Sequence, residues 1–231
     1  MIIYICAFKN MDYIEEAKVC IESIKTKGKY KGTIYLFTDM DVSIENVTVI
    51  KTPVESVPLS ASYRLRFFEH IKLDDIPSNE IVMYVDTDIV ALKEIPSFDS
   101  INDKINVYGY PDRTQEGTSF AGHITNDKLF TEKTAICSGI LLFKPSEKVK
   151  EVFDDAYNLY LSLIKKRRVH KVWEQPALCY TMTKFDMCEI SLNDYVYEER
   201  NDCKNETAVF NHLCALRGKD RYIKMKNLLE S

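Results

Sequence analysis

The chain has 231 residues, 45% of them apolar and 29% charged, with only seven glycines and seven prolines. That length buries a full core without disulfide staples, and the composition excludes collagenous and linker-rich classes. Thirty-one basic against thirty-five acidic side chains give a formal charge of −4; this argues against a general nucleic-acid binder, and no apolar run approaches the ~20 residues of a membrane span.

The N-terminus lacks a basic leader and meets charge at Lys9 and Asp12, so residues 2–8 read as a first β-strand rather than a signal peptide, and a cytoplasmic location is expected. Residues 12–27 place Ile14, Ala17, Cys20, Ile21 and Ile24 at helical spacing. Gly28 and Gly32 precede a second strand at Thr33–Thr38, and Val47–Ile50 makes a short third. Residues 61–73 read as a helix offering Tyr63, Phe67, Phe68 and Ile71 for packing. Ile81–Val85 is a continuous apolar run, the pattern of a buried parallel strand.

Val107–Tyr110 and Ile136–Phe143 read as further strands. Residues 113–134 between them are polar, glycine-containing and long enough for a functional loop. Residues 146–166 form a strongly amphipathic helix whose basic end, Lys165–Arg168, complements the helix dipole. Trp173–Thr183 reads as a shorter helix, and the tail from Lys219 is basic and helical. Alternating strands and helices imply an α/β fold with a mostly parallel central sheet flanked by helices. With no repeat and no linker, 1–231 is expected to be one domain. Seven scattered cysteines without a C-x-x-C pattern suggest a reducing compartment. The sequons starting at Asn46 and Asn205 are of a kind that arises by chance.

The most informative segment is Asp86-Thr87-Asp88, directly after the Ile81–Val85 run. With 17 aspartates in the chain, about one D-x-D triplet is expected by chance, and Asp39-Met40-Asp41 is a second. The first differs in context, because an open α/β sheet presents its ligand sites at the carboxyl ends of its strands. Two carboxylates there repel unless protonated, solvated or bound to a cation. A divalent ion satisfies them; a solvated turn between strands is the alternative.

Taken with Tyr63-Arg64-Leu65 and Glu69 upstream, the Asp-Thr-Asp segment resembles the core of nucleotide-sugar glycosyltransferases with the GT-A fold. The resemblance is to family 8, which includes glycogenin-like and bacterial galactosyltransferases. Four further stretches match in order: Ala7 through Tyr13 is similar to the family's nucleoside pocket, and Cys137-Ser138-Gly139 with the apolar run behind it resembles its N-S-G strand. Glu174-Gln175 resembles the D-Q helix start, and His212 with Gly218-Lys219 resembles the late H-x-x-G-x-x-K.

The resemblance implies a UDP-sugar donor, transfer of a hexose-type sugar with retention, and an unidentified glycan, protein or lipid acceptor. It adds His212 to Asp86 and Asp88 as a third metal ligand, a set suited to Mn²⁺, with Mg²⁺ the second choice. It places Tyr13 on the uracil with Asn10 and Ala7 beside it, Thr87 near the ribose, Lys219 and Gly218 at the diphosphate, and Arg64 on donor phosphate or base. Ser138 and Gly139 fall in the donor-binding strand. Asp112, Glu174 and Gln175 would meet the donor sugar and the transition state. Residues 1–110 would then be the nucleotide-binding half and 111–231 the acceptor and sugar half.

Plainer roles stand beside these. Tyr13 suits a helix core, His212 a satisfied strand histidine, Arg64 an acidic surface neighbour and Asp112 a turn. Three positions depart from the family: Cys137 replaces an Asn, Ala215 replaces a Gly, and Lys219 sits one place late. Two other classes remain open. Asp86-Thr-Asp-Ile-Val90 also fits the nucleophile motif of haloacid-dehalogenase-like phosphohydrolases, with Asp86 as nucleophile. A non-catalytic nucleotide-sugar-binding protein is the other.

Overall fold

The computed structural model describes residues 1–98, 106–112, 136–167, 173–189, 191–199 and 206–231. The 113–134 segment lies outside them. The chain forms two compact units, each assembled from separate stretches: 1–54, 83–102 and 192–231 in the first, 55–82 and 103–191 in the second.

In the first unit, β1 (Ile2–Cys6) pairs in parallel with β2 (Thr33–Thr38), and β2 with β3 (Thr48–Lys51). Helix α1 (Met11–Thr26) connects β1 to β2, its start capped by the Asn10 side chain, which accepts from the Asp12 N–H at 3.0 Å. Ile14, Ala17, Ile21 and Ile24 bury its apolar face. The apolar run at 81–85 forms β4 (Val82–Val85), buried throughout. Tyr4 packs its ring 5.0 Å from Tyr84 and 5.8 Å from Phe37 in the core.

Three strands of three residues each make a second, small sheet: β5 (Ile89–Ala91), β9 (Val196–Glu198) and β10 (Phe210–His212). The central β10 runs antiparallel to β5 and parallel to β9. The C-terminal helix α6 (Gly218–Glu230) packs against α1 and β5.

The second unit holds β6 (Val107–Pro111), the fully buried β7 (Ile136–Phe143) and the short β8 (Cys188–Glu189). Strand β6 is antiparallel to β7, with a bulge between Tyr108 and Tyr110, and parallel to β8. Gly109 sits at that bulge because a Cβ there would meet Ile136 Cγ2 at 2.4 Å. Helix α4 (Glu147–Lys165) starts at Ser146, whose hydroxyl accepts from the Val149 N–H at 3.2 Å. It packs against α5 (Gln175–Lys184), and its Phe153 joins Phe67, Phe68 and Phe143 in an aromatic cluster. Among the described residues the main-sheet strands number seven, in runs β3-β2-β1-β4 and β7-β6-β8.

The helix expected over 61–73 is broken. It resolves into α2 (Val57–Ala61), a 3₁₀ stretch over Ser62–Arg66, α3 (Phe67–His70) and a final 3₁₀ turn at Leu73–Asp75. The hydroxyls of Ser60 and Ser62 donate to the carbonyls of Val57 and Leu59, and the Arg64 guanidinium donates to that of Ala61. Side chains that compete for backbone carbonyls in this way loosen a regular helical ladder. Among the described residues, no helix is long and apolar enough to cross a membrane.

Candidate functional site

The Asp86-Thr87-Asp88 turn joins β4 of the main sheet to β5 of the small one, and α1 grips it along one helical stripe. Residues 16, 20 and 23 lie on one face at spacings of four and three. Glu16 Oε2 accepts from the Thr87 hydroxyl at 3.3 Å, Cys20 Sγ lies 3.6 Å from the Asp86 carbonyl, and Ser23 Oγ accepts from the Ala91 N–H at 2.9 Å. The turn is therefore held by fixed partners, not left as a solvated connection.

Asp88 is buried, and each of its oxygens faces a side-chain nitrogen. His212 Nε2, from β10, is 3.3 Å from Oδ1, and Arg221 Nη1, from α6, is 2.8 Å from Oδ2. Arg221 also clamps Glu16 through two bonds, Nε to Oε1 at 2.8 Å and Nη2 to Oε2 at 2.9 Å. Burial pushes the Asp88 carboxyl up, but His212 and Arg221 together hold it well below the usual carboxylate range. Glu16 goes the other way: burial raises it, and Arg221 offsets that only in part. Asp86 is half-buried and accepts a hydrogen bond from the Tyr84 hydroxyl.

One ligand atom each from Asp86, Asp88 and His212 lies within 4.8 Å of the others. Two carboxylates and an imidazole at that spacing are a donor set able to hold a divalent cation. Arg221 bonds to Oδ2 of Asp88, and Oδ1 is on the His212 side.

Other expected residues of this unit lie on α1, on α6 and between β1 and α1. Tyr13 is 40% exposed, with the Arg221 guanidinium 6.0 Å from its ring centre, so it is not a core tyrosine. Asn10 is exposed as the α1 cap. Ala7 is buried, its N–H bonded to the Phe37 carbonyl. Gly218 and Lys219 open α6 and line, with Asp12, Glu15, Glu16 and Tyr222, a groove of about 390 Å³. The second D-x-D is occupied otherwise: Asp39 accepts from the Lys9 N–H at 2.9 Å, and Asp41 pairs with Lys51.

The second unit gathers five of the remaining expected residues into one buried network. Arg64 Nε lies 2.9 Å from Glu174 Oε1, and its Nη1 donates to the Ser138 carbonyl at 2.6 Å. Arg64 thus pairs with a buried glutamate and not with the acidic surface neighbour that was its plainer reading. The single Ser138 hydroxyl proton can serve Glu174 Oε1 or Gln175 Oε1, both at 3.2 Å. Gln175 Oε1 also accepts from the Ser138 N–H, and its Nε2 donates to Asp112 Oδ2 at 2.9 Å, which fixes the amide's orientation. Gly139 follows Ser138 inside β7, and Cys137, where the family has Asn, accepts from the Tyr110 hydroxyl at 3.0 Å.

Glu16 and Arg221 were not singled out by the sequence reasoning. A charged residue on the buried stripe of α1 was the available signal for Glu16. Arg221 had none, its partner on α1 being 205 positions away.

No family model matches the sequence, and no curated protein matches it either. Solved structures do. The galactosyltransferase LgtC in complex with donor and acceptor sugar analogues is 14% identical, with TM-score 0.67 over 100% of this chain and 95% of that one. The bifunctional glycosyltransferase WbbM, without ligand, gives 13% identity and TM-score 0.68; 98% of this chain spans 49% of that one, about half its length. An active-site Gln-to-Glu mutant of LgtC gives 13% and 0.64, over 98% and 95%. Together with the seven-stranded sheet and its flanking helices, these likenesses establish that the chain has the GT-A glycosyltransferase fold.

Proposed function

We propose that this chain is a divalent-cation-dependent glycosyltransferase that moves a hexose-type sugar from a UDP-sugar to a glycan, protein or lipid acceptor, with retention. The observation that carries the reading is the Asp86–Asp88–His212 cluster at the end of a buried strand in a GT-A fold. These residues would hold Mn²⁺ or, second, Mg²⁺, which when bound supplies Lewis-acid neutralisation of the departing diphosphate. Arg221 and Glu16 fix the plane of the Asp88 carboxylate. The exposed Tyr13 ring offers a stacking surface for uracil, with Asn10 and Ala7 nearby in sequence, and Thr87 faces the ribose. Gly218 and Lys219 bring backbone N–H groups and a point charge to the diphosphate.

In the second unit, Asp112, Glu174 and Gln175, with Arg64, Ser138 and Gly139, are the donor-sugar and transition-state residues of this reading. The Gln175 amide, bonded at both ends, orients its neighbours and has no group that serves as acid or base near neutral pH. The phosphohydrolase alternative is disfavoured, since such enzymes need a later acidic pair on a loop, and the Asp–Asp pair that follows Asp88, Asp154 and Asp155, lies on α4 and pairs with Lys150 and Lys184.

The test is thermal unfolding with UDP, GDP and CDP in excess, each with and without Mn²⁺. Ligand at about 100 times its Kd stabilises by ~2.7 kcal/mol. The expected result is a shift for UDP that needs Mn²⁺ and disappears in Asp86→Asn. A shift with GDP or CDP instead overturns the donor, and one independent of Mn²⁺ overturns the cation. Binding of UDP-sugars with neither transfer nor donor hydrolysis would make the chain a binding protein.

A further inference from the structure

His212 belongs to a second constellation. Strand β10 runs parallel to β9 with His212 directly opposite Glu198, and Cys214 lies two residues on from His212, in the turn just past the end of β10. The three side chains meet: the Cys214 thiol donates to Glu198 Oε1 at 3.0 Å. One ligand atom from each lies within 4.8 Å of the other two. Glu198 and His212 are each 3% exposed, whereas Cys214 is half-buried and gives the cluster a route to solvent.

We propose that Glu198, His212 and Cys214 form a site for a thiophilic divalent ion of the zinc class, competing with the carboxylate site for the His212 imidazole. The donor set is chemically apt. Zinc takes sulfur, nitrogen and oxygen ligands at about 2.0–2.3 Å, which places neighbouring ligands roughly 3.4–3.6 Å apart in a tetrahedron. The measured 3.0 Å between Cys214 Sγ and Glu198 Oε1 needs only a slight opening to reach that. On coordination the S–H bond breaks, sulfur donates its pair to the ion and the proton leaves to solvent. A thiolate, a carboxylate and a neutral imidazole then balance the charge of the ion, with the fourth position left to water.

Competition follows from the imidazole itself. A neutral histidine has one lone pair, so His212 ligates one ion at a time. An ion held with Glu198 and Cys214 withdraws it from Asp86 and Asp88. Zinc would then lower nucleotide binding that depends on Mn²⁺. This second half rests on the proposed function, whereas the ion site itself does not.

The site is tested with Co²⁺, which reports thiolate coordination by charge-transfer absorption, followed by displacement with Zn²⁺. The full chain should show one thiolate-bound Co²⁺, lost in Cys214→Ser, retained in Cys188→Ser, and bound at least tenfold more weakly in Glu198→Gln with an unchanged circular dichroism spectrum. Absence of the band in the natural chain, or its persistence in Cys214→Ser, overturns the site. In the same preparations Zn²⁺ should reduce the UDP- and Mn²⁺-dependent thermal shift, and Cys214→Ser should abolish that reduction. If Zn²⁺ suppresses the shift equally in Cys214→Ser, it acts at the carboxylates and the competition is refuted. A Co²⁺ band without any UDP response would sink the proposed function and leave the site standing; a UDP response without the band would do the reverse.

Discussion

Replacing Arg221 by Met keeps much of the side-chain volume but strips a buried charge from between two carboxylates. Three bonds of 2.8–2.9 Å to Glu16 and Asp88 are lost. Both acids stay buried, at 1% and 8% exposure, with their counter-charge gone. Removing one partner of a buried ion pair costs about 3–5 kcal/mol. At ~2.1 cal/mol/K per residue the unfolding entropy of a chain this long is roughly 0.5 kcal/mol/K, so the melting temperature should fall by about 6–10 °C. The assay is urea and thermal unfolding followed by far-ultraviolet circular dichroism, at pH 8 and pH 5. The deficit has a defined pH dependence. Glu16 already has a raised folded-state pKa from burial, partly offset by Arg221; without the guanidinium it rises further. A group with a raised folded pKa favours the folded state at low pH and loses that contribution as pH rises through the folded value. The variant should therefore be closer to the natural chain at pH 5 than at pH 8. Arg221→Met combined with Glu16→Met should recover part of the loss, since the pair then vanishes together. A deficit below about 1 kcal/mol at pH 8, or one that grows on acidification, would refute the reasoning.

Two further outcomes follow from the second unit. Gln175→Ala leaves the Ser138 N–H and Asp112 Oδ2 without the amide that joins them; this should cost about 2–4 kcal/mol by urea denaturation, and a change within 0.5 kcal/mol would contradict the network. Burial and the nearby Arg66 charge hold the His70 imidazole below 6.5, beside the Tyr63 ring at 6.2 Å. The unfolded chain then takes up that proton first as pH falls, so stability declines below about pH 6.5. His70→Gln should flatten that decline, and an unchanged profile between pH 7 and 5 would show that His70 does not contribute.

What the sequence disclosed, and what it withheld, follows from range and length. The apolar run before Asp86 and Asp88 is a local signal, and β4 lies within a residue of its expected place. Helix α4 was equally legible because its apolar stripe runs over five turns. Strands β5, β9 and β10 are three residues each, too short for periodicity to register. His212, carried on one of them, was reached only through family resemblance. The Arg221–Glu16 clamp joins the last helix to the first, and nothing local in either segment encodes it. Ser60 and Ser62, just before and within the 61–73 segment, held the sign that its helix would break, but apolar spacing outweighed it in the reading.

The grip of α1 on residues 86–91 makes rotational phase, not sequence alone, the quantity that sets the aspartate turn. Glu16, Cys20 and Ser23 reach Thr87, Asp86 and Ala91 only because they share one stripe of a helix started at Asn10. One residue inserted between Asn10 and Glu16 would swing that stripe by about 100° and carry all three contacts away together. The aspartates could keep their identities and their strand and still lose their posture. In this chain the first helix acts as the key that indexes the turn, and drift in its length is far less tolerable than drift in its exposed side chains.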